Sequence, residues 1–337
     1  MLENVTNEAT LIEKAQALIP VLKERAQKAE RDRCMPKETN FDFREAGFYR
    51  ALQPARYGGL ELDYGAQTMF ARELGKACAS SAWVGGILAC HGWMAGMLPD
   101  EAQAEIWGDN PDVSVSTSFL PIGVKVERKG DILNVSGRWR FSSGVDHCRW
   151  AIILVIVPPE NGAGPPDPVF ALIDLDDCLV EDTWNSAGLA GTGSNDIVVT
   201  DAEIPPHRMM RVMDLRGEET DGSRANDSYL YRLPLFAVFP FNIIGPALGA
   251  ARGALDDVIE DLTSRHSVTG ADLSKAATVH TRIGQATALI DSADAMIEKI
   301  RANIIQKGRA NEEFSMDERA RYRLNLGHIA QSCCAAV

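Results

Sequence analysis

Two aromatic rings and two hydroxyls lie almost side by side in the segment GRWRFSSGVDH. Apolar and polar residues alternate over 133–141, which predicts a β-strand with one buried face that carries Trp139 and Phe141. Ser142 and Ser143 follow at once, so hydrogen-bonding groups stand beside large rings. The segment is either a strand with a buried Trp and a serine-rich turn, or part of a binding site.

A second set of candidate residues lies in a long uncharged stretch. Between Lys76 and Asp100 the chain carries no Asp, Glu, Lys or Arg, but it contains glycines, serines, Trp83 and His91. This composition favours a helix buried in a large protein over a membrane span. Because burying an imidazole without a partner costs free energy, His91 is either a hydrogen-bonded core residue or part of a site.

Composition and missing motifs exclude several chemistries. The net charge of −13 argues against a nucleic-acid partner. The seven cysteines show no CxxC spacing, which predicts reduced thiols in the cytoplasm and no metal site. The glycine-rich segment GLAGTGS lies among predicted strands and is not a GxGxxG fingerprint. The N-terminal sequence also lacks the pattern of a signal peptide.

The pattern of residue types along the sequence predicts three regions. Helical spacing dominates residues 1–110, short β-rich runs with turn signals fill 111–215, and long amphipathic helices follow a polar linker in 216–337. The spacing Ser315-x-x-Glu318 predicts a capping box at the start of the last helix. We therefore expect a mostly α chain with a central antiparallel β-barrel or sandwich.

This order of regions, with a Trp-bearing strand ahead of Ser-Ser-Gly, resembles the acyl-CoA dehydrogenase fold. Within that fold the chain is more similar to the oxygenase components of two-component flavin monooxygenases, which hydroxylate phenols. The likeness rests on five collinear segments: LQPARYGGLELD, SAWVGGILACHGW, GRWRFSSGVDHCRW, AGLAGTGSNDIVVTDAEIPPHR and GALDDVIEDLTSR. It implies an N-terminal helical domain, a middle β-barrel and a C-terminal helix bundle.

The resemblance implies that reduced FMN or FAD and O₂ form a C4a-hydroperoxide in a site closed to water. It places Trp139 and Phe141 beside the flavin ring, and Ser142 and Ser143 near its N5 edge. Ser143 is thereby a catalytic candidate that supports N5–H. These four residues are the expected flavin contacts in the β region.

The resemblance also implies an aromatic substrate site. His91 is expected to hold or deprotonate a phenolic hydroxyl, which raises electron density at the ring carbon to be hydroxylated. Trp83 is expected to form an apolar wall of this pocket. Ser118 corresponds to a serine near the substrate, with a solvent-facing strand serine as the alternative.

Further expectations concern the flavin phosphate and the partners. Arg265 corresponds to an arginine that binds the flavin phosphate of a neighbouring subunit, which implies a homotetramer; the alternative is a cation that favours a helix C-terminus. A separate NAD(P)H-dependent flavin reductase is expected to supply the reduced flavin to this cytoplasmic enzyme of aromatic compound catabolism. No nucleic-acid or membrane partner is expected.

Two departures from the family pattern leave other functions open. The final helix of the bundle is expected to be incomplete, without the histidine that relatives carry there, and Val268 replaces a family aromatic. An acyl-CoA dehydrogenase is the first alternative, although Val238 occupies the segment where one subgroup carries its catalytic acid. A truncated, non-catalytic relative is the second.

Overall fold

The computed structural model describes residues 7–159, 164–264 and 272–337. Over these residues, five α-helices come first, then eight strands, then five more α-helices, with short 3-10 turns between them. The first helices are α1 (Glu8–Asp32), α2 (Lys37–Ala46), α3 (Ala66–Gly75), α4 (Ala79–Ala95) and α5 (Asp100–Trp107). The last are α6 (Asp221–Ala225), α7 (Leu235–Val238), α8 (Ile244–Ser264), α9 (Ala277–Ala310) and α10 (Met316–Ala336). The predicted mostly α architecture with a central β region is confirmed.

The β region consists of two four-stranded sheets. Its strands are β1 (Val115–Ser118), β2 (Leu120–Lys129), β3 (Ile132–Ser142), β4 (Trp150–Val157), β5 (Asp167–Asp174), β6 (Cys178–Glu181), β7 (Asn195–Ile204) and β8 (Met209–Arg211). The strand orders are β1-β4-β5-β8 and β2-β3-β7-β6, and one hydrophobic core lies between the sheets. Of the predicted barrel or sandwich, the two sheets form the sandwich, and the pairing differs from the antiparallel expectation where β1 pairs with β4 in parallel.

Helix α4 is the uncharged segment, and it lies inside the helical core as predicted. Every residue from Ser80 to Ala95 except Trp83 is buried. The helix contacts α1, α3 and α8 as well as strand β1. It therefore carries the His91 side chain from the helical core to the edge of the β region.

Close packing of α3 on α8 depends on three glycines spaced four residues apart. A Cβ atom on Gly245, Gly249 or Gly253 would lie within 2.1–2.4 Å of a backbone oxygen of the α3 segment. Residues four apart lie on one face of a helix, so only hydrogen atoms separate the two backbones there. This contact fixes the C-terminal helices against the helices that frame the site.

Local signals set the ends of the outer helices. The Asn7 side chain accepts a hydrogen bond from the Thr10 amide and caps α1. The predicted capping box of Ser315 and Glu318 is present at the start of α10. Among the described residues, the stretch Leu235–Thr263 is long and apolar enough to cross a membrane by composition, but 61% of its most apolar window is buried within the chain.

Candidate active site

A pocket of about 200 Å³ opens where α4, β1, the end of β3 and the segment before α8 meet. Its walls are mostly apolar, with a few polar groups on one side, as is usual for sites that bind small molecules. The lining residues are Trp83, Ile87, His91, Thr117, Ser118, Phe119, Leu120, Arg140, Phe141, Ser143, Phe239 and Ile243. The structure thus brings five predicted site residues together: Trp83, His91, Ser118, Phe141 and Ser143.

His91 is buried, with both ring nitrogens hydrogen-bonded inside the protein. Its Nδ1 lies 3.0 Å from the Val115 carbonyl oxygen, and its Nε2 lies 2.9 Å from Thr117 Oγ1. A carbonyl can only accept, so Nδ1 carries the proton and Nε2 accepts from the Thr117 hydroxyl. Burial lowers the pKa of His91 to about 3, which keeps the ring neutral at physiological pH.

Thr117 is the polar residue of this wall that the sequence analysis missed. Its hydroxyl donates to His91, which leaves the lone pairs of Oγ1 to accept a hydrogen bond from a ligand. Thr117 and Ser118 are adjacent in β1, where every residue is buried, so alternation could not distinguish them. One indication of Thr117 was present in the sequence, which is that it lies with Ser118 in the hydroxyl-rich segment VSVSTSF.

Ser118 lines the pocket and is 2% exposed, which rules out the solvent-facing alternative. Its hydroxyl donates to the Arg140 carbonyl oxygen at 2.5 Å and so joins β1 to the end of β3. The hydroxyl proton is therefore used within the protein. Ser118 can only accept a further hydrogen bond from a ligand.

The second polar wall consists of Trp83 and Ser143. The indole Nε1–H of Trp83 donates to Ser143 Oγ at 3.1 Å. Ser143 Oγ also lies 2.8 Å from Ser194 Oγ, which itself lies 2.7 Å from Thr192 Oγ1. A chain of hydroxyls therefore leads from the pocket wall into the loop that precedes β7.

The position of Trp139 corrects the prediction that it lies beside a flavin. Its side chain is fully buried between the two sheets, its Nε1–H donates to the Leu154 carbonyl oxygen at 2.7 Å, and it does not line the pocket. The cause is a register shift between Trp139 and Ser142, where β3 holds one residue more than β7. Such a bulge reverses the alternation of side chains, so Trp139 faces the core while Phe141 faces out.

Phe141 forms an exposed aromatic surface at the mouth of the pocket. The residue is 42% exposed, the Arg140 guanidinium lies 4.5 Å from the ring centre, and the Trp184 ring packs against it edge to face. Two other lining residues are exposed here, Leu120 at 51% and Ile243 at 39%. Exposed apolar side chains at a pocket mouth indicate a surface that a ligand covers.

The remaining predicted flavin contacts lie elsewhere or outside the described residues. Ser142 is fully buried and does not line the pocket; its hydroxyl has no hydrogen-bond partner among the residues that the structure describes. Arg265 lies in the segment 265–271, outside the described residues, as does Val268. Over the described ranges no group of three His, Cys, Asp or Glu side chains could hold a metal ion.

The residues present fit a flat aromatic group with a hydrogen-bonding edge. Phe141, Leu120 and Ile243 offer apolar contact at the mouth, and Ser143 offers a hydroxyl beside them. Deeper in the pocket, Thr117 offers an acceptor within an aromatic wall that includes Phe119 and Phe239. The arrangement can bind a ring at the mouth and a smaller aromatic hydroxyl compound inside.

Comparison with known proteins gives consistent matches along the chain. Residues 11–107 match the family model "Acyl-CoA dehydrogenase, N-terminal domain", and residues 242–337 match "Acyl-CoA dehydrogenase, C-terminal domain". The chain is 32% identical over 314 residues to the flavin-dependent monooxygenase oxygenase subunit HsaA of Rhodococcus jostii, covering 93% of this chain and 81% of that protein.

Two further comparisons agree with that match. The FADH(2)-dependent resorcinol hydroxylase oxygenase component of a Rhizobium species is 30% identical, over 92% of this chain and 78% of the relative. The crystal structure of 3-HSA hydroxylase from Rhodococcus sp. RHA1 superposes with a TM-score of 0.91 at 31% identity, covering 97% of this chain and 84% of that one.

Proposed function

Since this chain belongs to the flavin-dependent monooxygenase oxygenase components of acyl-CoA dehydrogenase fold, we propose that its pocket holds a phenolic or polycyclic aromatic substrate for hydroxylation with reduced flavin and O₂. The observation that carries the proposal is the pairing of two polar walls in one aromatic-lined pocket. One wall is His91 with Thr117, and the other is Trp83 with Ser143.

The first wall holds the substrate hydroxyl. A phenolic O–H donates to Thr117 Oγ1, whose own proton is already directed to His91 Nε2. Because the neutral His91 has a pKa of about 3, it orients Thr117 rather than storing a substrate proton as an imidazolium. Hydrogen bonding from the phenol to Thr117 leaves more electron density on the substrate ring, which favours attack on electrophilic oxygen.

The second wall and the mouth hold the flavin ring. Phe141 supplies an apolar face, and Ser143 supplies a hydroxyl at the polar edge. Reduced flavin, when bound, supplies the activation of O₂. The chain's own contribution is to orient that ring toward the pocket and, with Phe119, Phe239 and Ile243, to keep water away from it.

This chain shares the fold of the acyl-CoA dehydrogenases, but its pocket does not support their reaction. Dehydrogenation of an acyl-CoA needs a base for the α-proton, for which that family uses a carboxylate. No Asp or Glu is present among the described residues that line the pocket. The oxygenase relatives therefore describe the chemistry of this chain better than the dehydrogenase relatives do.

A separate reductase belongs to the system, as the oxygenase-component names of the relatives imply. We further propose that this reductase uses NAD(P)H, that either FMN or FAD serves as the reduced flavin, and that the enzyme is a cytoplasmic homotetramer. In that assembly Arg265 binds the flavin phosphate of a neighbouring subunit. Because guanidinium groups bind phosphate in a bidentate manner, Arg265→Ala weakens flavin binding if this assignment holds.

The proposed function is tested with purified protein and a flavin reductase that supplies FMNH₂ or FADH₂ in air. Simple phenols, resorcinol and a polycyclic phenol serve as substrates, and hydroxylated product and hydrogen peroxide are both measured. We expect product with at least one phenol and less peroxide in its presence. Release of all reducing equivalents as peroxide with every phenol, together with bleaching of bound oxidised flavin by an acyl-CoA, would instead identify a dehydrogenase.

A further inference from the structure

A line of three hydroxyls connects the pocket wall to a loop carbonyl. Trp83 donates to Ser143, Ser143 and Ser194 are 2.8 Å apart, Ser194 and Thr192 are 2.7 Å apart, and Thr192 Oγ1 lies 2.9 Å from the Leu189 carbonyl oxygen. Thr192 and Ser194 are 2% and 3% exposed, so bulk water does not compete for these hydrogen bonds.

The loop that carries the inner end of this line is anchored on the helical core. The amides of Ala190 and Gly191 both lie 3.3 Å from the Glu30 carboxylate, which also accepts a hydrogen bond from Ser80 Oγ at 2.5 Å. Helices α1 and α4 therefore hold the loop from one side. The position of the Thr192 hydroxyl is fixed by the fold and does not depend on a ligand.

Each hydroxyl has one proton, and two arrangements, one in each direction along the line, keep both hydrogen bonds between the three hydroxyls while giving the protons of Thr192 and Ser194 an acceptor. In the outward direction, Thr192 donates to Leu189, Ser194 donates to Thr192, and Ser143 donates to Ser194. Ser143 then also accepts from Trp83 and can only accept from a ligand. In the inward direction, Thr192 donates to Ser194 and Ser194 donates to Ser143, so Ser143 can only donate to a ligand.

The fold favours the outward direction. In that direction every hydroxyl proton of the line has an acceptor within the protein, and the last acceptor is the Leu189 carbonyl. In the inward direction the Thr192–Leu189 hydrogen bond is lost, and no described residue accepts the Ser143 proton until a ligand does. One hydrogen bond of this kind corresponds to a preference of roughly 3- to 10-fold.

We propose that Thr192 and Ser194 are positioning residues that hold Ser143 as a hydrogen-bond acceptor, so that this site binds reduced flavin in preference to oxidised flavin. The inference rests on the proposed contact between Ser143 and the flavin N5 edge. Reduction turns N5 from an acceptor into an N–H donor, so an acceptor at Ser143 matches only the reduced ring. Oxidised N5 needs the Ser143 proton, and redirecting that proton costs one hydrogen bond of the line: the Ser143–Ser194 bond if Ser143 turns alone, or the Thr192–Leu189 bond if all three hydroxyls reverse.

The test compares the dissociation constants of oxidised and reduced flavin, the latter under anaerobic conditions, for the full chain and its variants. Ser194→Ala removes the acceptor of the Ser143 proton, and Thr192→Val removes the terminal donor to Leu189. In both variants the ratio of the oxidised to the reduced dissociation constant is expected to fall by about 3- to 10-fold. A tenfold fall corresponds to a midpoint potential of the bound flavin that is lower by about 30 mV.

Three controls separate this role from a general effect on folding. Thr192→Ser keeps the hydroxyl and should keep the wild-type ratio, and Ser186→Ala removes a hydroxyl of the same loop that donates to the Gly188 carbonyl oxygen. Thermal melting of each variant shows that it is folded. If flavin binds but Ser194→Ala and Thr192→Val keep the wild-type ratio, as Ser186→Ala is expected to do, the inference is wrong while the proposed function stands. If wild-type protein binds neither redox form, the proposed function fails and the inference with it.

Discussion

The indole N–H of Trp83 on helix α4 donates a 3.1 Å hydrogen bond to the hydroxyl of Ser143, directly after strand β3. This bond joins the helical core to the β region at the wall of the pocket. Because Trp83 is the one residue between Ser80 and Ala95 that is not buried, its ring is positioned by this contact rather than by close packing on all sides. The two residues are expected to be energetically coupled.

The coupling can be measured with a double-mutant cycle in urea or thermal unfolding. Trp83→Phe keeps an aromatic wall but removes the N–H, and Ser143→Ala removes the acceptor. We expect a coupling free energy of about 0.5–1.5 kcal/mol between them. The pair Trp107→Phe and Ser143→Ala is the control, since the Trp107 indole bonds to Val113, and its effects should be additive. Additivity of the Trp83 pair as well would show that the contact adds no stability.

Thr117 is predicted to discriminate a phenol from an analogue without the O–H. In the wild type the phenol donates to Thr117 Oγ1, so replacing the phenol with its methyl ether should weaken binding by about tenfold. Thr117→Val should bind the two compounds about equally, and Thr117→Ser should keep the difference. Equilibrium titration of both ligands measures it, and an undiminished preference in Thr117→Val would place the phenol elsewhere in the pocket.

Thr117→Val should also lower stability. It leaves the buried His91 Nε2 without a donor, which costs about 1–3 kcal/mol. The free energy of unfolding of Thr117→Val is therefore expected to be lower than that of Thr117→Ser by this amount. Equal values for the two variants would mean that His91 finds another donor.

Phe141 is predicted to have a strained backbone conformation and a side chain that binds flavin. Its φ of +63° is in the left-handed region, which costs a residue with a Cβ atom about 1 kcal/mol more than glycine. Phe141→Gly and Phe141→Ala both remove the ring and should weaken flavin binding equally. Unfolding experiments should show the Gly variant to be more stable than the Ala variant by about 1 kcal/mol. A more stable Ala variant would mean that this backbone conformation is not retained.

His91 is predicted to make stability depend on pH below neutrality. The folded protein keeps the ring neutral to a pKa of about 3, whereas the unfolded chain takes up a proton near pH 6.5. The unfolded state therefore binds more protons between these values, and stability falls as pH decreases. From pH 8 to pH 5 the loss from His91 is about 2 kcal/mol.

This loss is measured by comparing the wild type with His91→Asn, which retains an N–H for the Val115 carbonyl. Burial also lowers the pKa of His147, so both proteins share that contribution and the difference between their curves isolates His91. We expect the two curves to converge as pH falls from 6.5 to 5. Parallel curves over this range would mean that His91 does not stay neutral in the folded protein.

Much of the fold could be predicted from the sequence because it depends on local patterns. The uncharged stretch of α4 can only be stable when buried, and the capping box at Ser315 begins a helix by hydrogen bonds between near neighbours. Several residues of the pocket could also be named before the structure was known. His91 was singled out because a buried imidazole needs a hydrogen-bond partner, whereas Trp83 and Ser143 were named through the resemblance to the flavin monooxygenases.

The roles within the site could not be predicted, since they depend on contacts between distant segments. Alternation alone placed Trp139 and Phe141 on one face, but the bulge against β7 separates them, and its position depends on pairing with a strand more than fifty residues away. The contact of Thr117 with His91 could be recognised only from the structure, in which β1 lies beside α4.

The sequence by itself determined that this chain is a helical protein with a central β region, and which hydroxyls, rings and imidazole it has available. Only the tertiary structure decided which of them share a pocket, that His91 is a neutral partner of Thr117, and that Ser143 is linked to Ser194 and Thr192. The physical reason is that a hydrogen bond needs donor and acceptor atoms within about 3 Å in a suitable direction, and side-chain periodicity along one strand or helix does not specify distances to another.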